Sequence, residues 1–347
     1  MKRHLLFLAA LLIVNLAASA QKKFSVYAVG FYNQENLFDT CHDEGKKDYE
    51  YLPNKGWNGM KYTNKLRNMS KALADMGTDV LPNVGCAFIG LSEVENHKVL
   101  DALVDQAPLK ARNMKYVHIE GPDRRGIDCA LLYNPSLFSV KNVKLVPYVQ
   151  ELAKDSAFFT RGFLTVRGEM AGDDVAVIVC HWPSRFSGPF YRESAARQVK
   201  VIKDSLLNVN QEMKIFVMGD MNDDPVNKSM HVYLQAKPEI SQVGAGDMYN
   251  PWYNVLAKEG KGTLFYSGNW NLFDQIVITP NLLIKDAKKK DYSSLKYWKS
   301  HIFRRDYLIQ QEGQYKGAPL RTTAGGRWLN GYSDHLPVVM YLVKEKK

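Results

Sequence analysis

The chain has 347 residues, 46% of them hydrophobic and 24% charged, which excludes a disordered, collagen-like or disulfide-stapled miniature protein. No composition break, Pro/Ser-rich linker or repeat divides it, so a single domain is expected beyond the N-terminal segment. The 46 basic residues against 36 acidic ones give a net charge of +10, a weak pointer to phosphate-bearing partners.

At the N-terminus, Lys2 and Arg3 precede an apolar run from Leu5 to Leu16 that ends at Ala18-Ser19-Ala20. This is the pattern of a secretory signal over residues 1–20, cleaved after Ala20. The run is short for a membrane span, polar Gln21, Lys22 and Lys23 follow, and no Cys follows the small residues to carry a lipid. Residues 21–347 are therefore expected as one exported domain, secreted or periplasmic, monomeric and with no stable membrane insertion.

Short apolar runs rich in β-branched and aromatic residues then recur between Gly, Asn, Asp and Pro. They cover Phe24 to Phe31, Cys86 to Leu91, Cys129 to Tyr133, Phe163 to Val166, Val175 to Cys180, Ile215 to Met218, Gln275 to Thr279 and Leu336 to Val343. Each reads as a strand, and Ala171-Gly172-Asp173-Asp174 reads as a hairpin turn that makes one pair antiparallel. Several runs are apolar throughout, which implies burial on both faces. A helical period appears in Tyr62 to Met76, through Leu66, Met69, Leu73 and Met76, and again in Arg192 to Leu207, through Val199, Ile202 and Leu206. Strands outnumber helices and do not alternate with them, so a two-sheet α/β sandwich is favoured over a doubly wound parallel fold. Cys41, Cys86, Cys129 and Cys180 lack the paired spacing of a zinc site, and the last three read as buried small hydrophobes; export permits one disulfide without choosing its partners.

The acids lie where apolar strands end. Ile215 to Met218 runs into Gly219-Asp220-Met221-Asn222, and Ala87 to Leu91 runs into Ser92-Glu93-Val94-Glu95. Carboxylates so close to a core are costly unless paired or bound to a cation, and hard oxygen donors suit Mg²⁺ or Mn²⁺. For Asp220 and Asn222 the plain alternative is a strand-ending turn. Asp334 and His335 stand side by side before the strand at Leu336, so both belong to the preceding loop if both act. His181 ends another buried strand, where a lone His is more often a core residue bonded to backbone than a catalyst, and Asp274 opens one, where the acid either satisfies turn amides or orients an imidazole.

Together these blocks resemble the endonuclease/exonuclease/phosphatase superfamily, in that family's order and over nearly the whole exported chain. They are Asn33 in Tyr32-Asn33-Gln34-Glu35-Asn36, Glu93 in Ser92-Glu93-Val94, His181, Gly219-Asp220-Met221-Asn222, Asp274 and Ser333-Asp334-His335. Arg125-Gly126-Ile127-Asp128 and His181-Trp182-Pro183-Ser184-Arg185 look like a secreted bacterial branch. The resemblance implies a four-layered α/β sandwich of two packed mixed β-sheets flanked by helices. It also implies Mg²⁺- or Mn²⁺-dependent hydrolysis of a phosphate ester. In that scheme Glu93, Asn33 and Asp334 hold the metal, Asp220 and Asn222 position the attacking water with Asp220 as base, His181 and His335 donate to phosphoryl oxygens, and Asp274 orients His335. Arg125 and Ser184 are the candidates for substrate contact, although Arg124-Arg125-Gly126 reads equally as a solvated turn.

Export and basic charge favour a nuclease acting on nucleic-acid phosphodiesters. The alternative is a phosphatase or phosphodiesterase on small-molecule or lipid head-group phosphates, of the inositol phosphate or sphingomyelin type. Asp223-Asp224-Pro225 and Asn271 to Gln275 depart from the inositol polyphosphate 5-phosphatase pattern, and two acids after Asn222 count mildly against a polyanionic substrate. Trp182, Trp270 and Tyr266 are candidate stacking surfaces, Glu95 is either a supporting acid or exposed, and Lys288 to Lys290 reads as a solvated run. The acids Asp39, Asp43 and Asp48 have no recognised calcium-ligand spacing.

Overall fold

All eight apolar runs form strands in the computed structural model, which describes residues 23–149, 151, 159–286 and 288–346. The expected signal segment, 1–20, lies outside the described residues. The first sheet has six strands, in the order β14 (Lys296–Ile302), β17 (Val338–Glu345), β1 (Phe24–Leu37), β2 (Phe88–Val94), β4 (Asp128–Tyr133) and β3 (Lys115–His118). The second has seven, in the order β5 (Phe138–Val146), β6 (Phe163–Met170), β7 (Asp173–His181), β8 (Lys214–Asp220), β13 (Asp274–Ile278), β10 (Met248–Tyr249) and β9 (Ala236–Lys237). Both are mixed: β1 runs parallel to β2 and β7 parallel to β8, while β17, β4, β6 and β13 pair antiparallel to them.

Each parallel pair needs a crossover, and a helix supplies it. Helix α1 (Gly59–Asp75) connects β1 to β2, and α3 (Pro189–Val209) connects β7 to β8. The Asn58 side chain caps α1 by accepting from the Lys61 amide, and Pro189 occupies the first turn of α3, where its missing N–H is not needed. A short helix that sequence periodicity does not reveal, α2 (His97–Val104), starts where Asn96 accepts from the Lys98 and Val99 amides.

Alternate side chains of each strand go to different cores. Val29, Phe31, Phe88, Val177, Val179, Phe216, Met218, Val338 and Met340 pack between the sheets. Tyr32, Leu91, Val339 and Tyr341 face α1 and α2, with Leu66, Met69 and Leu73 of α1. Ala176, Ile178, Ile215 and Val217 face α3 through Ala195, Ala196 and Val199. The result is a four-layered α/β sandwich, helix on sheet on sheet on helix. The runs that read as apolar on both faces are the central strands, as burial on two sides requires.

The turn between β6 and β7 has Ala171 at φ +55 and Gly172 at φ +79, the pair of positive φ values that matches strand twist in a two-residue hairpin. Cys86, Cys129 and Cys180 are buried and Cys41 is exposed, all four as free thiols. No helix among the described residues is long and apolar enough to cross a membrane.

Candidate active site

The predicted acids and imidazoles meet where the parallel strands of both sheets end. In the second sheet His181, Asp220 and Asp274 are side by side, since His181 registers with Asp220 and Asp220 with Asp274. From the first sheet, Asn33 registers with Ser92, one residue before Glu93. Two irregularities aim these side chains. The β1–β2 ladder shifts register between Asn33 and Leu37, where Glu35 and Asn36 adopt φ of +44 and +56. The β2–β4 ladder shifts between Ser92 and Val94, and Glu93 sits at φ +60. Bulges of this kind re-aim a side chain out of the pleat, and left-handed non-glycine backbone concentrates at functional sites. Asn222, at φ +48, is a further case.

Asp334 and His335 lie in the loop before β17. Ser333 fixes that loop: its hydroxyl donates to the Asn33 carbonyl at 2.8 Å and accepts from the His335 amide at 3.1 Å. His335 Nδ1 lies 2.7 Å from Asp274 Oδ2, which leaves Nε2 facing Asp220 Oδ2 at 3.9 Å and Asp334 Oδ1 at 3.9 Å. His181 Nε2 stands 3.7 Å from Asp220 Oδ2 and 3.8 Å from Glu93 Oε1. Asp220 Oδ2 accepts from Asn33 Nδ2 at 3.0 Å, a bond that ties one sheet to the other, and its Oδ1 accepts from the Asn222 amide at 2.9 Å. Asn222 Nδ2 donates to the Trp182 carbonyl at 2.9 Å.

Charge in this cluster is polarised. Burial raises the Asp220 carboxyl to about 6, with Asp274 and Glu93 pushing the same way against His335. Burial opposes a charge on His335, but the Asp274 and Asp220 carboxylates outweigh it and hold the imidazole well above the usual histidine range. His181 goes the other way: burial, then Arg161, Arg125 and His335, push it well below that range. The two histidines that face this one carboxylate are therefore shifted in opposite directions, a separation that environment alone can impose.

The donor set suits a hard cation. Glu93 Oε2 accepts from the Asn36 amide at 2.9 Å, which turns Oε1 inward toward His181. Asp334 Oδ2 is held by Arg321 at 3.2 Å, which turns Oδ1 toward His335. Asn33 Oδ1 accepts from the Glu35 amide at 2.8 Å and retains one lone pair. Among the described residues no group of three or more His, Cys, Asp and Glu side chains is placed to hold a metal ion by itself. Mg²⁺ does not require one, because it is ordinarily bound by one or two carboxylates, with waters and substrate phosphate oxygens completing the shell.

Ser184 and Arg125 lie at the rim. The Ser184 carbonyl accepts from Arg192 at 3.0 Å, while exposed Arg125 reaches Asn36 Oδ1 at 3.5 Å. The two acids after Asn222 are neutralised: Asp223 pairs with Arg192 at 2.9 Å, and Asp224 pairs with Arg185 at 2.9 Å and accepts from the Leu272 amide at 2.7 Å. The objection those acids raise against a polyanionic substrate therefore loses its force. Glu95 is buried away from the site and accepts from the Asp39 amide at 2.7 Å. Asp128 is buried as well, and accepts from the Gly121 amide at 3.0 Å. Of the three stacking candidates, Trp182 is buried in the core, Trp270 is half-buried against Phe265, and Tyr266 is exposed.

Sequence reasoning missed a buried charge network behind Asp334. Glu35 accepts from Arg321 Nε at 3.1 Å and from the Thr322 amide at 2.6 Å, while Lys65 of α1 donates to Thr322 Oγ1 at 2.6 Å and to the Tyr332 carbonyl at 2.5 Å. Burial raises Glu35 to about 7 and lowers Lys65 to about 8. Arg161 was also missed; it joins Asp123 at 3.0 Å to the Trp182 carbonyl at 3.1 Å. Only Glu35, two residues after Asn33, carries a signal in the sequence.

This sandwich, with acids and imidazoles gathered at the strand tips between its sheets, defines the chain's class. The family model described as "Endonuclease/Exonuclease/phosphatase family" matches residues 28–344, and the chain belongs to that family. Solved structures agree in fold. D. rerio TDP2, in a complex with a single-strand DNA product, is 12% identical with a TM-score of 0.54 over 92% of this chain and 99% of that one. A family member from Bacteroides thetaiotaomicron is 13% identical with a TM-score of 0.54, covering 94% and 97%. A mannosyl-6-phosphatase from the same organism is 14% identical with a TM-score of 0.53, covering 91% and 99%. No curated protein matches the chain in sequence.

Proposed function

We propose that the chain is an exported, monomeric, divalent-metal-dependent phosphoester hydrolase, and that it acts as a nuclease on nucleic-acid phosphodiester bonds. The observation that carries this reading is the unbroken chain of contacts, each below 4 Å, from Glu93 through His181, Asp220 and His335 to Asp334, assembled from both sheets. Glu93, Asp334 and Asn33 are the residues to hold Mg²⁺ or Mn²⁺, which when bound supplies positive charge to the phosphoryl oxygens.

Asp220 is the base. Asn33 and the Asn222 amide fix both its oxygens, so a water hydrogen-bonded to it is oriented before it is deprotonated. His335, oriented and held cationic by Asp274, presents Nε2–H to a non-bridging oxygen as charge builds there. His181, neutral and on the opposite side of Asp220, offers a hydrogen bond to the same group without adding charge. Export rests on the segment before Gln21, and the nucleic-acid assignment on the basic charge, the neutralised Asp223 and Asp224, and TDP2 bound to DNA product as a structural relative.

Plasmid DNA, RNA, a chromogenic diester, inositol phosphates and sphingomyelin, each assayed with Mg²⁺ and with EDTA, test the reading. Metal-dependent cleavage of DNA or RNA is expected. Turnover confined to a monoester would move the assignment to a phosphatase, the reading favoured by the likeness to a mannosyl-6-phosphatase.

A further inference from the structure

Two hollows of unlike chemistry flank the catalytic cluster, one on either side of the β-hairpin formed by β11 (Leu264–Tyr266) and β12 (Asn269–Asn271). Tyr266, at the hairpin tip and 66% exposed, lines both. The smaller, about 400 Å³, is walled by Leu264, Phe186 and Phe273, with Arg185 stacked 4.5 Å over the Phe273 ring, and reaches the cluster at Asn222. The larger, about 820 Å³, reaches the cluster at Asp334. Gln310, Gln314, Tyr315, Thr323 and Arg321, which carry amide, hydroxyl and guanidinium groups, are among the residues that line it.

We infer that the larger hollow seats a sugar ring attached to the scissile phosphate. Its volume lies in the range of roughly 300–1,000 Å³ typical of small-molecule sites. Its lining supplies both donors and acceptors in number, as a ring bearing several hydroxyls needs, since each hydroxyl both donates and accepts. The smaller hollow also has Ser184, Asn222 and Asn271 in its lining, but Asn222 Nδ2 is already given to the Trp182 carbonyl and Asn271 Oδ1 to Arg185, so it pairs fewer of those hydroxyls and is the poorer seat for a polyol. Arg321 links the hollow to the cluster, because it is bound to Asp334 and at the same time to buried Glu35. A ring in this hollow therefore lies next to a phosphate that would be bound through the cation assigned to Asp334. The inference rests on the phosphoester-hydrolase reading and names the group that reading leaves open; a deoxyribose of DNA and a hexose share the required chemistry.

The test is calorimetric, on the full chain with Mg²⁺, using methyl phosphate, deoxyribose phosphate and mannose phosphate. The wild type is expected to bind one sugar phosphate about tenfold more tightly than methyl phosphate. The double variant Gln314→Ala/Tyr315→Ala, two exposed loop residues outside the catalytic cluster, is expected to lose that preference while its methyl phosphate affinity holds. Whichever sugar gains the preference identifies the source. Equal affinity for all three ligands in the wild type, or a preference intact in the double variant, overturns the inference. Hydrolysis measured on the same preparations separates the two readings: a protein that binds the sugar phosphate selectively yet cleaves no phosphoester keeps the hollow and loses the enzyme.

Discussion

Asp220 Oδ2 accepts from Asn33 across the gap between the sheets and stands 3.7 and 3.9 Å from two imidazoles, so removing its carboxylate disturbs orientation and proton transfer together. Asp220→Ala is expected to lower kcat by roughly 10²–10⁴-fold with the circular dichroism spectrum intact, and near-normal turnover would end its assignment as base. Asp274 acts one step removed, through His335. Asp274→Asn keeps the shape and removes the charge that sustains the imidazolium, so a loss of about 10–100-fold in kcat with KM little changed is expected from steady-state kinetics. At this scale the sequence is informative where an acid or imidazole stands at the end of an apolar run, as Glu93, Asp220 and His181 do, or at its start, as Asp274 does. It is silent on Lys65, Arg321 and Arg161, because nothing in a local pattern says which of 46 basic residues the fold will pair with a site acid or a buried one, or bury.

Each strand the sequence made legible is central, or pairs with a neighbour on both sides, and so reads as an apolar run. The three longer strands it did not reveal, β3, β5 and β14, lie at sheet edges. Their polar residues face solvent, as in Lys141, Asn142 and Lys144 of β5, and lysine-rich edges are how sheets resist adding a further strand. Helix ends are hidden in the sequence for a different reason. Pro189 and the Asn58 cap lie outside the apolar periodicity that defined each helix, so α1 starts three residues before Tyr62 and α3 starts at Pro189 rather than Arg192. The glycine of Gly219-Asp220 has a packing reason visible only in the pairing of β7 with β8. A Cβ at Gly219 would stand 2.2 Å from the Cys180 carbonyl oxygen, and backbone cannot swing aside as a flexible side chain can. Gly219→Ala is therefore expected to destabilise by about 1–3 kcal/mol in urea unfolding, and to misplace Asp220 in whatever fraction still folds. An unchanged midpoint would mean that the two strands separate at that point at little cost.

Across the whole molecule, α1, on the outer face of the first sheet, holds the loop that carries Asp334. Lys65 binds Thr322 and Tyr332, Glu35 binds Thr322 and Arg321, and Arg321 binds Asp334, so a helix and a strand far apart in sequence set the angle of one site carboxylate. Lys65→Met removes the donor to Thr322 and Tyr332 and one of the two cations near buried Glu35, Arg321 being the other, and is expected to cost roughly 1–3 kcal/mol, with part of the loss recovered in Lys65→Met/Glu35→Gln; additive losses in the double variant would show that the two charges do not depend on each other. The same long-range assembly bears on substrate choice. Acids crowd the site, yet Arg192 and Arg185 neutralise Asp223 and Asp224, Arg321 shares Glu35 and Asp334, and the chain as a whole carries +10. A nucleic acid is drawn to that excess over several phosphates, whereas a small diester meets only the site. Raising salt from about 50 to about 200 mM should therefore lower kcat/KM for DNA by tenfold or more through KM, while a chromogenic diester changes by less than about twofold. Parallel salt curves for the two substrates would remove the polyanion from the reading and leave a small phosphate ester in its place.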